Sequence, residues 1–123
     1  MGRTTYFSLP FHPLKGRKNI VLNLGGEPIP EAVCVYSFDE AFAEAEATGA
    51  DRCFVMGGAS VYRAAINMMD RLYITHVHTT IPEADAFFPE IDSSIWEVES
   101  RSETLTDGET GYSFEFVVYV RRA

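Results

Sequence analysis

Arg52-Cys53-Phe54-Val55-Met56-Gly57-Gly58-Ala59-Ser60-Val61-Tyr62 is the stretch on which the reading of this chain turns. Of its first five residues, the four from Cys53 to Met56 are apolar, so an extended segment here is apolar on both faces, the pattern of a strand covered by helices on each side. They run into Gly57-Gly58, where the backbone can bend sharply and approach a ligand. A helix is expected next, from about Ser60 to Met69, carrying Val61, Tyr62, Ala65 and Met69. A helix that opens at the end of a parallel strand aims unpaired N–H groups at whatever lies over that end, and an anion such as a pyrophosphate is favoured there. A glycine pair serves equally well as a plain strand-to-helix turn, so spacing alone leaves both readings open.

Upstream, Asn19–Leu24 (NIVLNL) is a β-branched and aliphatic run closed by Gly25-Gly26, and Ala32–Tyr36 (AVCVY) is a second strand. Ser37-Phe38-Asp39-Glu40 reads as a capping box. Behind it Phe38, Ala41, Phe42 and Ala45 recur at the spacing of one apolar helical stripe, and Gly49 ends the helix. Downstream, Leu72–Val77 (LYITHV) is a strand, and Trp96–Leu105 and Tyr112–Val120 flank the turn Thr106-Asp107-Gly108-Glu109-Thr110, an antiparallel hairpin. Alternating strands and helices call for crossover units. The expected fold is α/β: a mixed, mostly parallel sheet flanked by helices with a C-terminal antiparallel hairpin, in one domain spanning residues 1–123.

Hydrophobic residues make up 46% and charged residues 23% of the chain, proportions that support a folded core. The formal net charge of −8 repels nucleic-acid phosphates and anionic membranes, so neither is an expected partner. No apolar run is long enough to span a bilayer and no signal-like start is seen, so a cytoplasmic location is expected. Cys34 and Cys53 lie in apolar runs and are expected to be free and buried. His12, His76 and His78 show no metal-ligand pattern, and no nucleophile elbow supports covalent catalysis. Arg3, Arg17 and Lys18 stand out as basic residues in an acidic chain. Arginine suits forked recognition of carboxylate or phosphate, although solvated surface charge explains the spacing equally well.

Met1-Gly2-Arg3-Thr4-Thr5, Pro13-Leu14-Lys15-Gly16-Arg17-Lys18-Asn19, Met56 to Tyr62, Leu72-Tyr73-Ile74-Thr75-His76 and Phe88-Pro89 together resemble the dihydrofolate reductase family, in its order and near its spacing. The resemblance implies hydride transfer from NADPH to dihydrofolate or a related pteridine. For the cofactor it implies that Arg3 holds the 2′-phosphate and that Thr5 contacts the region near pyrophosphate and nicotinamide. Gly57, Gly58, Ala59, Ser60 and Val61 then cradle the pyrophosphate, with Tyr62 near the nicotinamide and Met56 lining the joint pocket. Asn23 stands where a serine usually helps with the adenosine phosphate. For the substrate it implies that Arg17 forks onto the glutamate α-carboxylate. Leu9 and Leu14 contact the benzoyl ring, Thr75 supports the pteridine-binding acid, and Asp85 buttresses the mobile loop. Ala59 replaces a frequent glycine, and Ser8–Leu14 is one residue longer than the common spacing.

The family's first strand, mobile loop and acid-bearing helix precede the position of Met1, so no catalytic residue is identified in this chain. Its hydride transfer is expected to be impaired or absent. Without that strand, either the two strands resembling its neighbours pair directly or a homo-oligomer forms through the exposed sheet edge. The other readings are a non-catalytic NADPH- and folate-binding module and the related reductase domain of riboflavin biosynthesis; Gly16-Arg17-Lys18-Asn19 favours folate over the latter's pyrimidine.

Overall fold

The strands of the described residues form two sheets, and those of the first are short β-branched and aliphatic runs. The computed structural model describes residues 1–23 and 27–123, which fall into two compact units, 1–66 and 67–123. Leu24, Gly25 and Gly26, the expected end of the first strand and its turn, lie outside the described residues.

In the first unit, β1 (Ile20–Leu22) pairs in parallel with β2 (Val33–Val35), with Ile20 opposite Val33 and Leu22 opposite Val35. The chain start joins them: Gly2 bridges Leu22 in parallel, and the Leu22 N–H donates to the Met1 carbonyl at 2.9 Å. Helix α1 (Arg3–Ser8) follows and buries Tyr6 completely against Val21 and Ile29. Helix α2 (Phe38–Glu46) starts where its capping box predicts, the Ser37 hydroxyl accepting the Glu40 N–H at 3.1 Å. The Glu40 carboxylate accepts from the Tyr36 N–H, one residue before the cap. Asp39 and Glu40 place negative charge at the positive end of the helix. Phe38, Ala41, Phe42 and Ala45 are half-buried, so the predicted stripe is the packed one. Gly49, at φ +73°, stops the chain beyond the helix in a conformation that only glycine adopts freely.

The expected strand Arg52–Met56 is not one: these residues are extended without a ladder, Cys53 is exposed and Phe54 is 63% exposed. A strand needs a neighbour's N–H and C=O groups, and apolar composition does not supply them. Both cysteines are free, as expected, but only Cys34 is even partly covered. The helix after the glycines, α3 (Ala59–Ala65), gives way to a 3₁₀ turn over Ile66–Met68 instead of running unbroken to Met69.

In the second unit, β6 (Ser113–Arg121) is the central strand, flanked by β3 (Arg71–Val77) and β4 (Trp96–Arg101), with the short β5 (Leu105–Thr106) against its start. All three pairings are antiparallel, and the β4 ladder carries an irregularity between Val98 and Ser100. The hairpin expected around Asp107 is present. The Arg121 guanidinium lies 4.6 Å over the Trp96 ring and donates to the Met69 carbonyl at 2.7 Å, tying strand ends to the preceding turn. A mostly parallel sheet is therefore not what forms: among the described residues one parallel ladder stands beside three antiparallel ones.

Candidate functional site

Several of the residues expected at the cofactor are neighbours in the first unit. The Gly2 N–H donates to the Gly57 carbonyl at 2.8 Å, which fastens the glycine turn to the start of α1. A methyl group on Gly58 would stand 3.3 Å from the Thr5 hydroxyl, and one on Gly2 3.4 Å from Val61, so Thr5, Gly58, Gly2 and Val61 are neighbours. Gly57 has φ +110°, and a methyl group there would meet the Tyr62 ring at 3.3 Å. The glycine is required twice, by backbone and by space. The Tyr62 N–H closes the first helical turn onto the Gly58 carbonyl at 2.9 Å. Partial burial pushes the Tyr62 phenol pKa up from its ordinary value.

The Arg3 side chain is fixed by Asn23, Glu27 and Phe7. Its Nη1 donates to the Asn23 side-chain oxygen at 3.3 Å and to the Glu27 carbonyl at 2.6 Å, and Asn23 Nδ2 donates to that same carbonyl at 2.9 Å. Asn23 is 1% exposed, so it serves here as a buried brace for the arginine. The guanidinium also lies 5.1 Å over the Phe7 ring. The other two guanidinium nitrogens of Arg3 have no hydrogen-bond partner among the described residues. Ser60 is exposed at the start of α3 and Met56 is 36% exposed before the glycines.

The substrate candidates are less concentrated. Leu9 ends α1, and Leu14 and Arg17 belong to a loop organised by Asn19, a residue that strand periodicity did not single out. Asn19 is 6% exposed; its Oδ1 accepts from the Leu14 N–H at 2.8 Å, and its Nδ2 donates to the carbonyls of Leu14 at 2.9 Å and Arg17 at 3.0 Å. The sequence signal was there: a carboxamide at the edge of an apolar run must find partners when buried. The Arg17 side chain is exposed, and its Nε donates to the Lys15 carbonyl at 3.1 Å. Thr75 belongs to the second unit, exposed on β3 opposite Phe116, and Asp85 is exposed in the segment that follows β3. His76 Nε2 lies 2.8 Å from the Tyr119 hydroxyl, a structural pairing. Among the described residues no His, Cys, Asp and Glu group could hold a metal. Among them, too, no helix is long and apolar enough to cross a membrane.

A family model for dihydrofolate reductase matches residues 1–121. The chain belongs to the dihydrofolate reductase family. It is 39% identical over 121 residues to the dihydrofolate reductase of Neisseria meningitidis serogroup A, covering 98% of this chain and 73% of that protein. It is 34% identical over 122 residues to that of Bacillus subtilis, covering 99% of this chain and 71% of the relative. A type 3 dihydrofolate reductase of Salmonella typhimurium is 33% identical over 123 residues, with 99% and 74% covered. Family membership accounts for the registration of the five motifs that periodicity left separate.

Proposed function

We propose that this chain binds NADPH and dihydrofolate for reduction of the pteridine ring, the reaction named in its relatives. The observation that carries the reading is the glycine turn fastened to Gly2, with Thr5 next to Gly58, in a segment whose neighbouring residue Arg3 has an incompletely used guanidinium. That donor set fits a phosphorylated dinucleotide. The free nitrogens of Arg3 suit a phosphate monoester, the Thr5 and Ser60 hydroxyls suit ester oxygens, and Gly57 and Gly58 present no side chain to obstruct them. Asn23 holds Arg3 in place, and Ala59 and Val61 carry the backbone N–H groups of the opening turn.

NADPH supplies the hydride when bound. The chain's contribution is position and charge. Tyr62, a neutral phenol, offers its ring and hydroxyl beside the turn without adding a charge. Met56 supplies an apolar wall. Arg17, with Leu9 and Leu14, anchors the far end of the substrate through a carboxylate, which limits the orientations open to the pteridine. These residues bind and orient, and none of them is assigned the delivery of a proton.

Calorimetric titration of dihydrofolate into NADPH-saturated protein tests the pairing of cofactor and substrate. Binding that weakens on Arg17→Lys, which keeps the charge and removes the fork, supports the reading. Absence of dihydrofolate binding, or equal affinity in both proteins, refutes the substrate assignment.

A further inference from the structure

The sheet of the second unit has two sides, and they are built differently. β4 is a defended edge: Glu97, Glu99 and Arg101 line it, and its ladder is irregular between Val98 and Ser100. Charges and irregularities of this kind keep a strand from pairing with another chain. β3 closes the opposite side, with β6 as its neighbour and, among the described residues, no strand beyond it. From Leu72 to Val77 it holds no acid, lysine, arginine or proline, and its register with β6 runs unshifted over all seven residues.

The ladder also fixes which main-chain groups of β3 face outward. The His78 N–H donates to the Ser113 carbonyl at 2.7 Å, so the even-numbered positions exchange hydrogen bonds with β6. Phe116, opposite Thr75, spends its carbonyl on the Ser102 N–H and its own N–H on the Ser102 hydroxyl, both at 2.8 Å. Arg71, Tyr73, Thr75 and Val77 therefore direct their main-chain groups away from β6. The Val77 carbonyl accepts the Thr79 N–H at 2.9 Å and keeps a second lone pair. Tyr73 and Val77 are half-exposed, on the same face as Phe116, whose ring meets that of Phe114 edge-on at 5.6 Å.

This edge is complementary to itself. Laid antiparallel against a second copy, β3 pairs all of Arg71–Val77 in the register centred on Ile74. That register sets Arg71, already paired with Glu99, against Val77, and Tyr73 against Thr75, so the outward-facing groups meet one another. No like charges are opposed. One step beyond the strand ends, it sets the exposed Asp70 carboxylate against exposed His78 of the second copy, an acceptor facing a ring donor, twice in the dimer.

We propose that β3 is the interface of a homodimer, in which two copies pair antiparallel through Arg71–Val77 and join their sheets into one. The interface lies within the second unit and is independent of the dihydrofolate reading. A single pair of strands stands at the small end of specific interfaces, so the dimer dissociates at roughly micromolar concentration.

The experiment is sedimentation equilibrium of the full chain from roughly 1 to 100 μM, the range that brackets such a dissociation constant. The unmutated chain should show a monomer–dimer equilibrium. Thr75→Pro removes an outward N–H and leaves the ladder to β6, which uses the even positions, so it should be monomeric throughout with unchanged far-ultraviolet circular dichroism. Asp70→Lys lies outside the ladder and should weaken the dimer about two- to tenfold. In a Cys53→Ser background, Ile74→Cys should cross-link to its own copy under mild oxidation, because this register alone brings the two residues 74 face to face. A folded monomer at every concentration overturns the proposal. So does a dimer that withstands both Thr75→Pro and Asp70→Lys, or one in which Ile74→Cys does not cross-link.

Discussion

Gly57→Ala should be the most destabilising single-methyl change in the glycine turn, and its cost can be worked from two separate contributions. The backbone is at φ +110°, outside the regions open to an L side chain, which costs about 1–3 kcal/mol. The new methyl carbon would also lie 3.3 Å from the Tyr62 ring and 3.4 Å from its hydroxyl, so a half-buried ring must move by a few tenths of an ångström. Gly58→Ala is the internal comparison. Its φ of −85° suits alanine, and its one close contact is the Thr5 hydroxyl at 3.3 Å, the movable end of a short side chain. Gly57→Ala should therefore cost about 2–3 kcal/mol and Gly58→Ala less than about 1 kcal/mol. In urea denaturation followed by circular dichroism, with a slope near 1.5 kcal/mol per molar, the first change lowers the midpoint by more than about 1 M. Repeating Gly57→Ala in a Tyr62→Ala background isolates the contact: that part of the cost disappears and the backbone part remains. Equal and small effects at the two glycines would refute the assignment of Gly57 as the constrained residue.

Asn19→Ala removes three hydrogen bonds that brace the Arg17 loop, and should cost about 2 kcal/mol in denaturation midpoint while weakening dihydrofolate binding in calorimetry. The Tyr6 hydroxyl is buried without a hydrogen-bond partner among the described residues, so Tyr6→Phe should raise the melting temperature by a few degrees, seen by calorimetric scanning. Asp107 has its pKa lowered first by the Thr110 hydroxyl and then by the Thr110 N–H. A depressed carboxyl pKa contributes stability above the unfolded value of 3.8, and that contribution is lost as pH falls through the lower folded value. Thr110→Val should move the Asp107 titration, followed by NMR, upward toward 3.8 and reduce the stability held above it.

What could be read without coordinates was what local chemistry decides. The capping box of α2 and its stripe at Phe38, Ala41, Phe42 and Ala45 depend only on near neighbours, and both formed. The hairpin around Asp107 likewise follows from its turn residues. Arg52–Met56 shows the limit: its composition suits a buried strand, but pairing is decided by a neighbour distant in sequence, and here it forms no ladder. The same cause turned an expected parallel sheet into a mainly antiparallel one, because β3 pairs along its whole length with β6. Helix α1 was hidden by poor helix formers, Thr4, Thr5 and Ser8, and is held by the burial of Tyr6 instead of by propensity. At the site, Arg3 was legible as an arginine out of place in an acidic chain. Its brace, Asn23 with the Glu27 carbonyl, was not, since periodicity does not describe a contact between a side chain and a carbonyl four residues on.

The most direct measurement of the cofactor assignment is the affinity of the chain for NADPH and for NADH, before and after Arg3→Ala. A charge-assisted contact from the free nitrogens of Arg3 to a 2′-phosphate contributes about 1.5–3 kcal/mol. NADPH should therefore bind the unmutated protein roughly ten- to a hundredfold more tightly than NADH, and Arg3→Ala should bring the two affinities together by weakening NADPH alone. Equal affinity for the two dinucleotides in the unmutated chain, or a preference untouched by Arg3→Ala, would contradict the account.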